Sequence, residues 1–91
     1  MITRTVEVQN RLGLHARAAA KLVRVASRFT SEIKLTREGA DQHIDSKSIL
    51  GILMLAASKG TRLVVSVRGA DELQATEAIC RLFEARFGEE N

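Results

Sequence analysis

Three features of this 91-residue sequence support a two-layer α/β fold in the order βαββαβα. Residues 2–8, 31–36 and 62–67 alternate apolar and polar side chains, which marks half-buried strands. Two longer segments repeat apolar residues at helical spacing, and a third is apolar almost all round. The strand positions Thr3, Thr5, Glu7, Glu32, Lys34 and Thr36 are polar, so one side of the sheet is expected to stay wet. All three helices then cover the other side. The expected fold class is α/β, in the α+β sense: an open-faced two-layer sandwich with a four-stranded, largely antiparallel sheet covered on one face by three helices. Residues 1–91 are expected to form a single domain, with no repeat, linker or low-complexity segment.

In the first strand, residues 2–8, Ile2, Val6 and Val8 point inward. Residues 9–14 form a loop that leads into a helix over residues 16–29. There Ala19, Leu22, Val23 and Ala26 make the buried face, and Arg17, Lys21, Arg24 and Arg28 make a basic stripe opposite. The second strand, residues 31–36, turns Ile33 and Leu35 inward. Glu38-Gly39 is a turn signal, and a short strand at residues 42–44 completes a hairpin. His43 lies on that strand and takes no role.

Asp45-Ser46-Lys47-Ser48 is rich in capping residues. Ser48 is the expected N-cap of a second helix that starts at Ile49, runs to Ala57 and is stopped by Gly60. Ile52, Leu55 and Ala56 make one face of it. Ile49, Leu50 and Leu53 make another. A short helix cannot bury both against one sheet, which leaves two readings. Gly51 permits close packing of both faces, or the second face is an exposed apolar patch for a partner. The fourth strand, residues 62–67, points Leu63, Val65 and Val67 inward. Gly69 turns the chain, and Asp71 is the expected cap of the last helix, with Ala75, Ile79, Leu82 and Phe83 as its buried stripe. Gly88 ends that helix, and Glu89-Glu90-Asn91 is expected to fray.

Composition narrows the function classes. At 45% hydrophobic and 27% charged, the chain reads as an ordinary soluble globule. Trp and Tyr are absent, so the core is expected to be aliphatic with Phe29, Phe83 and Phe87. The single cysteine, Cys80, excludes an internal disulfide and suggests a reducing compartment. It reads as a small packing residue. His15, His43 and Cys80 lack metal-ligand spacing, so no metal is expected. No signal peptide and no apolar run near transmembrane length appears, and a cytoplasmic location is expected. The net charge of +3 is too mild to demand nucleic acid.

The chemistry concentrates at Gly13-Leu14-His15-Ala16-Arg17, which places His15 at the mouth of the first helix. The first amides of a helix lack intrahelical partners, and the macrodipole adds partial positive charge there. An imidazole at that point keeps a ring lone pair as a nucleophile. A phosphoryl group taken up by that nitrogen would meet the N–H groups of Ala16 and Arg17, with the Arg17 guanidinium added. Taken alone, a histidine at a helix start is also an ordinary cap or surface residue.

Gly13-Leu14-His15-Ala16-Arg17 closely resembles the phosphohistidine motif of the HPr family, the phosphocarriers of the bacterial phosphoenolpyruvate-dependent phosphotransferase system. Lys47-Ser48-Ile49-Leu50-Gly51 resembles that family's regulatory-serine segment, in the right register, so the resemblance spans nearly the whole chain. One position departs: the family usually has proline after the motif arginine, and Ala18 stands there. Alanine is a strong helix former and returns one amide to the first turn. The chemistry is expected to persist while the rigidity of the site changes.

The resemblance implies a phosphocarrier that is not itself an enzyme. Phosphorylated enzyme I donates to Nδ1 of His15, and phospho-His15 passes the group to an enzyme IIA domain, without a cofactor. Ala16 and Arg17 hold the phosphoryl oxygens. Ile49, Leu50 and Leu53 form the docking surface beside the histidine, as the matching family positions do. The basic stripe, Lys21 and Arg24 above all, reads either as a solvated helix face or as steering towards acidic partners. Ser48 is either a plain cap or the target of an HPr kinase/phosphorylase. A monomer is expected, with neither nucleic acid nor membrane insertion. A regulatory carrier, nitrogen-related or working without sugar permeases, fits the same motifs. From other classes, a regulatory binding module of this fold would need no histidine at position 15. A small RNA-binding domain would call for Tyr or Trp platforms or a Gly-x-x-Gly loop between helices, and neither occurs.

Overall fold

The computed structural model describes residues 1–89. Its elements follow the expected order: β1 (Ile2–Glu7), α1 (Ala16–Ala26), β2 (Glu32–Arg37), β3 (His43–Asp45), α2 (Ile49–Met54), β4 (Arg62–Arg68) and α3 (Glu72–Glu84). A 3-10 turn, Arg86–Gly88, follows α3. The sheet order is β1-β4-β2-β3, and every neighbouring pair is antiparallel. β4 therefore lies between the first two strands, with Val67 opposite both Ile2 and Ile33.

Alternation decides what this sheet buries. Leu63, Val65 and Val67 on β4 and Ile33 and Leu35 on β2 are fully buried. Thr3, Thr5, Glu7, Glu32 and Lys34 stay exposed. The core is closed by Leu22 of α1, Ile52 of α2 and Ile79 and Phe83 of α3. The Phe83 and Phe87 rings meet edge-on at 4.9 Å and 70°, the arrangement that the ring quadrupoles favour. Among the described residues no helix is long and apolar enough to cross a membrane.

Several local expectations are corrected, each by a tertiary contact. Thr36 is buried although its alternation position promised solvent. It pairs across the hairpin with His43, whose Nδ1 lies 2.6 Å from its hydroxyl. α1 stops at Ala26, because Arg28 and Phe29 bond back three residues to Val25 and Ala26 and tighten the chain into a turn. Arg28 thus leaves the helical stripe. α2 ends at Met54, well before Gly60. Ala56 takes a left-handed φ of 48°, and buried Ala57 then offers its carbonyl to the Leu14 amide at 2.9 Å. Gly60 instead serves the turn into β4, donating to the Val8 carbonyl at 2.8 Å.

Asp71 precedes α3 but makes no side-chain cap bond to it. Its carboxylate accepts from the Thr30 and Ser31 amides, at 2.9 and 3.0 Å, and from the Ser31 hydroxyl. It clamps the entry of β2 to the entry of α3. The Ser31 hydroxyl and the Thr30 amide hold its pKa down at about 2. α3 ends at Glu84 rather than at Gly88. Of the tail expected to fray, Glu89 is half-buried and hydrogen-bonded, while Glu90 and Asn91 lie outside the described residues.

Candidate functional site

The β1–α1 loop is built by packing against the segment that leaves α2. Gly13 takes φ +68°, and a Cβ there would fall 2.5 Å from the Ala57 carbonyl oxygen and 2.9 Å from the Ser58 Cα. No side chain fits that approach, and the left-handed backbone disfavours one independently. Asn10, fully buried, donates its Nδ2 to the Gly13 carbonyl at 2.6 Å. Leu14 is buried behind it. Held from both sides, the loop delivers His15 in an extended conformation, φ −76° and ψ 179°, directly before the first helical residue, Ala16.

His15 is the N-cap of α1. The Arg17 amide donates to Nδ1 at 3.3 Å, and the Ala19 amide makes the first helical bond to the His15 carbonyl at 2.8 Å. Nδ1 thus faces the positive end of the helix dipole. The amide foreseen for a phosphoryl oxygen at Arg17 is turned to Nδ1 itself. A phosphoryl group on Nδ1 would take over that donor. Arg17 and Ala16 are exposed, whereas Ala18, in the place where the family usually has proline, is fully buried and packs into the core. Its methyl group serves helix packing where the ring would have restricted φ.

The sequence reading missed Glu89. Its Oε2 lies 2.6 Å from Nε2 of His15, and its Oε1 accepts from Asn10 Nδ2 at 3.1 Å. Partial burial acts to raise this carboxyl, but the bonds from His15 and Asn10, aided by the Lys21 charge, hold it below its usual range. No local signal could have found it: nothing in Phe-Gly-Glu-Glu-Asn announces a partner 74 positions away. Lys21 is half-buried and donates its Nζ to the Phe87 carbonyl at 2.5 Å. It belongs to the anchoring of this tail as well as to the basic stripe. Arg24 is exposed.

At the other expected site, Ser48 caps α2, and its Oγ accepts from the Gly51 amide at 3.2 Å. It is half-buried, while Ser46 is fully buried with its amide donating to the Ile33 carbonyl. Lys47 reaches across to the Phe29 carbonyl at 2.8 Å. Gly51 does permit close packing: a Cβ there would meet Ile44 Cγ2 at 2.9 Å. Only Ile52 of this helix is buried. Ile49, Leu50 and Leu53 are exposed, and Met54, not foreseen, joins them at 73% exposure. α2 packs against α1, and the chain leaving α2 buttresses the His15 loop through Ala57. Among the described residues, no group of three His, Cys, Asp or Glu side chains could hold a metal ion.

Comparison with known proteins covers nearly the whole chain and agrees with its fold. The phosphocarrier protein HPr of Treponema pallidum is 47% identical over 90 residues, covering 99% of this chain and 100% of that protein. The crystal structure of HPr-C-His from Thermoanaerobacter tengcongensis superposes with a TM-score of 0.93 at 41% identity, covering 100% of both chains. A second structure from that organism, an HPr dimer, aligns at a TM-score of 0.76 with 40% identity, covering 98% of this chain and 100% of that one. The model of the PTS HPr component phosphorylation site matches residues 2–85, and the chain belongs to the HPr family of phosphotransferase-system phosphocarriers.

Proposed function

We propose that His15 accepts a phosphoryl group on Nδ1 from phosphorylated enzyme I and passes it to an enzyme IIA domain, the chain working as one cytoplasmic HPr domain and as a monomer. The observation that carries this reading is the orientation of the ring: Nδ1 faces the first turn of α1 and accepts from the Arg17 amide, so a phosphoryl group there would meet helix amides, with the exposed Arg17 side chain nearby in sequence to add its charge. Each such charge–dipole contact contributes about 0.3–1 kcal/mol at an exposed site. That is enough to orient the group and too little to trap it. Its partners on this reading are proteins rather than nucleic acid or lipid.

Ile49, Leu50, Leu53 and Met54 form the apolar docking surface for those partners, and Arg24, with Arg17 and Lys21, steers acidic ones towards it. Ser48 is the residue on which an HPr kinase/phosphorylase acts. A phosphate there adds roughly −1.5 to −2 charges at the edge of the docking surface, so enzyme I binds less well while the fold is retained. Phosphorylation with enzyme I and phosphoenolpyruvate tests the central step. His15→Ala is expected to abolish acid-labile labelling. Label persisting on that variant overturns the assignment and directs attention to His43.

A further inference from the structure

We propose that Glu89 is a positioning residue for His15: carried to the imidazole by the turn after α3, its carboxylate keeps the proton on Nε2 and presents the Nδ1 lone pair to the incoming phosphoryl group. This rests on the phosphocarrier reading of His15. Two contacts on opposite sides of the ring require the same tautomer. An ionised carboxylate offers only lone pairs, so the 2.6 Å contact to Glu89 needs a hydrogen on Nε2. The Arg17 amide is a donor, so its 3.3 Å contact needs a lone pair on Nδ1. A hydrogen on Nδ1 would set two donors against each other.

The tail that delivers Glu89 is built for its position. Arg86 and Phe87 both have φ 56°, a left-handed conformation unusual for residues with side chains. Such conformations persist where the surroundings over-determine them, and they cluster at functional sites. Here Phe87 is buried against Phe83, and Lys21 of α1 takes the Phe87 carbonyl. Asn10 then joins the tail to the loop, since one Nδ2 group serves both the Gly13 carbonyl and Glu89 Oε1. Helix α1, the β1–α1 loop and the tail are thus tied to one another around the ring.

The transfer balances without moving a proton. The Nδ1 lone pair forms the new N–P bond as the bond from phosphorus to the carrying group of phosphorylated enzyme I breaks, and that electron pair stays on the donor group. The Nε2 hydrogen stays on His15. The phosphorylated ring, substituted on both nitrogens, carries positive charge, and the Glu89 carboxylate faces it as counter-charge.

The test reads the ring directly. In the 15N-labelled full chain, long-range proton–nitrogen correlation at neutral pH is expected to show Nε2 protonated and Nδ1 unprotonated on His15. Glu89→Ala should move both nitrogens towards the averaged shifts of exchanging tautomers and leave those of His43 alone. Glu89→Gln keeps one oxygen for two donors, Nε2–H and Asn10 Nδ2, so it should restore the tautomer only in part and lacks the counter-charge. Phosphoryl acceptance should slow in the Ala variant, by about the 10- to 100-fold that losing an outer-shell partner of a metal-ligating histidine costs, and less in the Gln variant. Unchanged His15 shifts in a folded Glu89→Ala protein overturn the proposal, as does a changed tautomer with an unchanged rate. The tautomer is observed without any phosphoryl donor, so a failure of the phosphocarrier reading shows itself separately, as absent labelling of the parent chain.

Discussion

The starts of α1 and α2 solve the same problem with different chemistry. Each has a side-chain acceptor in extended backbone that receives an early helix amide: Nδ1 of His15 from Arg17 at 3.3 Å, and Oγ of Ser48 from Gly51 at 3.2 Å. The helices behind the two caps differ. α1 runs eleven residues and buries Ala18, Ala19, Leu22 and Ala26. α2 runs six and buries only Ile52. The His15 end is therefore braced by core, loop and tail, while the Ser48 end carries a face of apolar side chains open to solvent. A cap on a well-anchored helix can hold a reactive group in a fixed geometry. A cap on a short helix beside an exposed surface is where added charge alters docking and leaves packing alone. The family is one of carriers, not enzymes, and on the proposed reading the division suits a carrier: one helix start would hold the group and the other would meet the protein that exchanges it.

The contrast breaks most sharply at the buried positions. Leu22→Ala in α1 is expected to cost about 2–5 kcal/mol in unfolding by denaturant. Leu50→Ala, on the exposed face of α2, should leave the midpoint nearly unchanged and weaken binding to enzyme I in titration calorimetry. Equal stability losses at the two positions would show that α2 is anchored as firmly as α1.

The start of α3 sharpens the comparison from another side, because Asp71 clamps β2 and leaves its own helix uncapped. Its pKa is lowered from 3.8 to about 2 in the folded chain. A carboxyl depressed on folding contributes stability that is complete above its unfolded pKa and is lost as pH falls through the folded one. Melting temperatures should therefore fall between about pH 4 and pH 2. Asp71→Asn should melt lower at pH 7 and show a shallower fall across that window. A variant that loses stability as steeply as the parent would place the acid sensitivity elsewhere.

Smaller effects are expected at Ser48. Ser48→Ala removes the cap and should cost about 0.5–2 kcal/mol, measured by thermal unfolding. Ser48→Asp retains an acceptor, so it should melt close to the parent yet take a phosphoryl group on His15 more slowly. If it is phosphorylated as fast as the parent, the charge does not reach the docking surface. The smallest effect belongs to Arg24, exposed on α1. Arg24→Glu should lower the association rate with enzyme I in stopped flow, and the deficit should shrink as salt shortens the Debye length to about 10 Å at 0.1 M. A rate indifferent to both changes would leave the stripe as solvation alone.

Much of the fold was legible because its determinants are periodic and near neighbours. Leu63, Val65 and Val67 alternate, and all three are buried. Ser48 sits before an apolar run, and it caps that run. Ends were less legible. α2 stops at Met54 because the Ala57 carbonyl has to meet Leu14, a requirement invisible in Leu-Met-Leu-Ala-Ala. Asp71 has the local profile of a cap, yet the amides of Thr30 and Ser31 lie close enough to claim it.

By itself the sequence determined the βαββαβα order, the alternating buried faces of β2 and β4, the placement of His15 at a helix start and, through the Gly13-to-Arg17 motif, the family. These depend on side-chain period and on residues adjacent in the chain. Only the tertiary structure decided which nitrogen of His15 meets a carboxylate, that Lys21 reaches the Phe87 carbonyl, and that Gly13 must lack a side chain to fit beneath Ala57. Each of those joins segments far apart along the chain. Their meeting is set by how helices and loops pack over one shared core, and no local pattern encodes that distance.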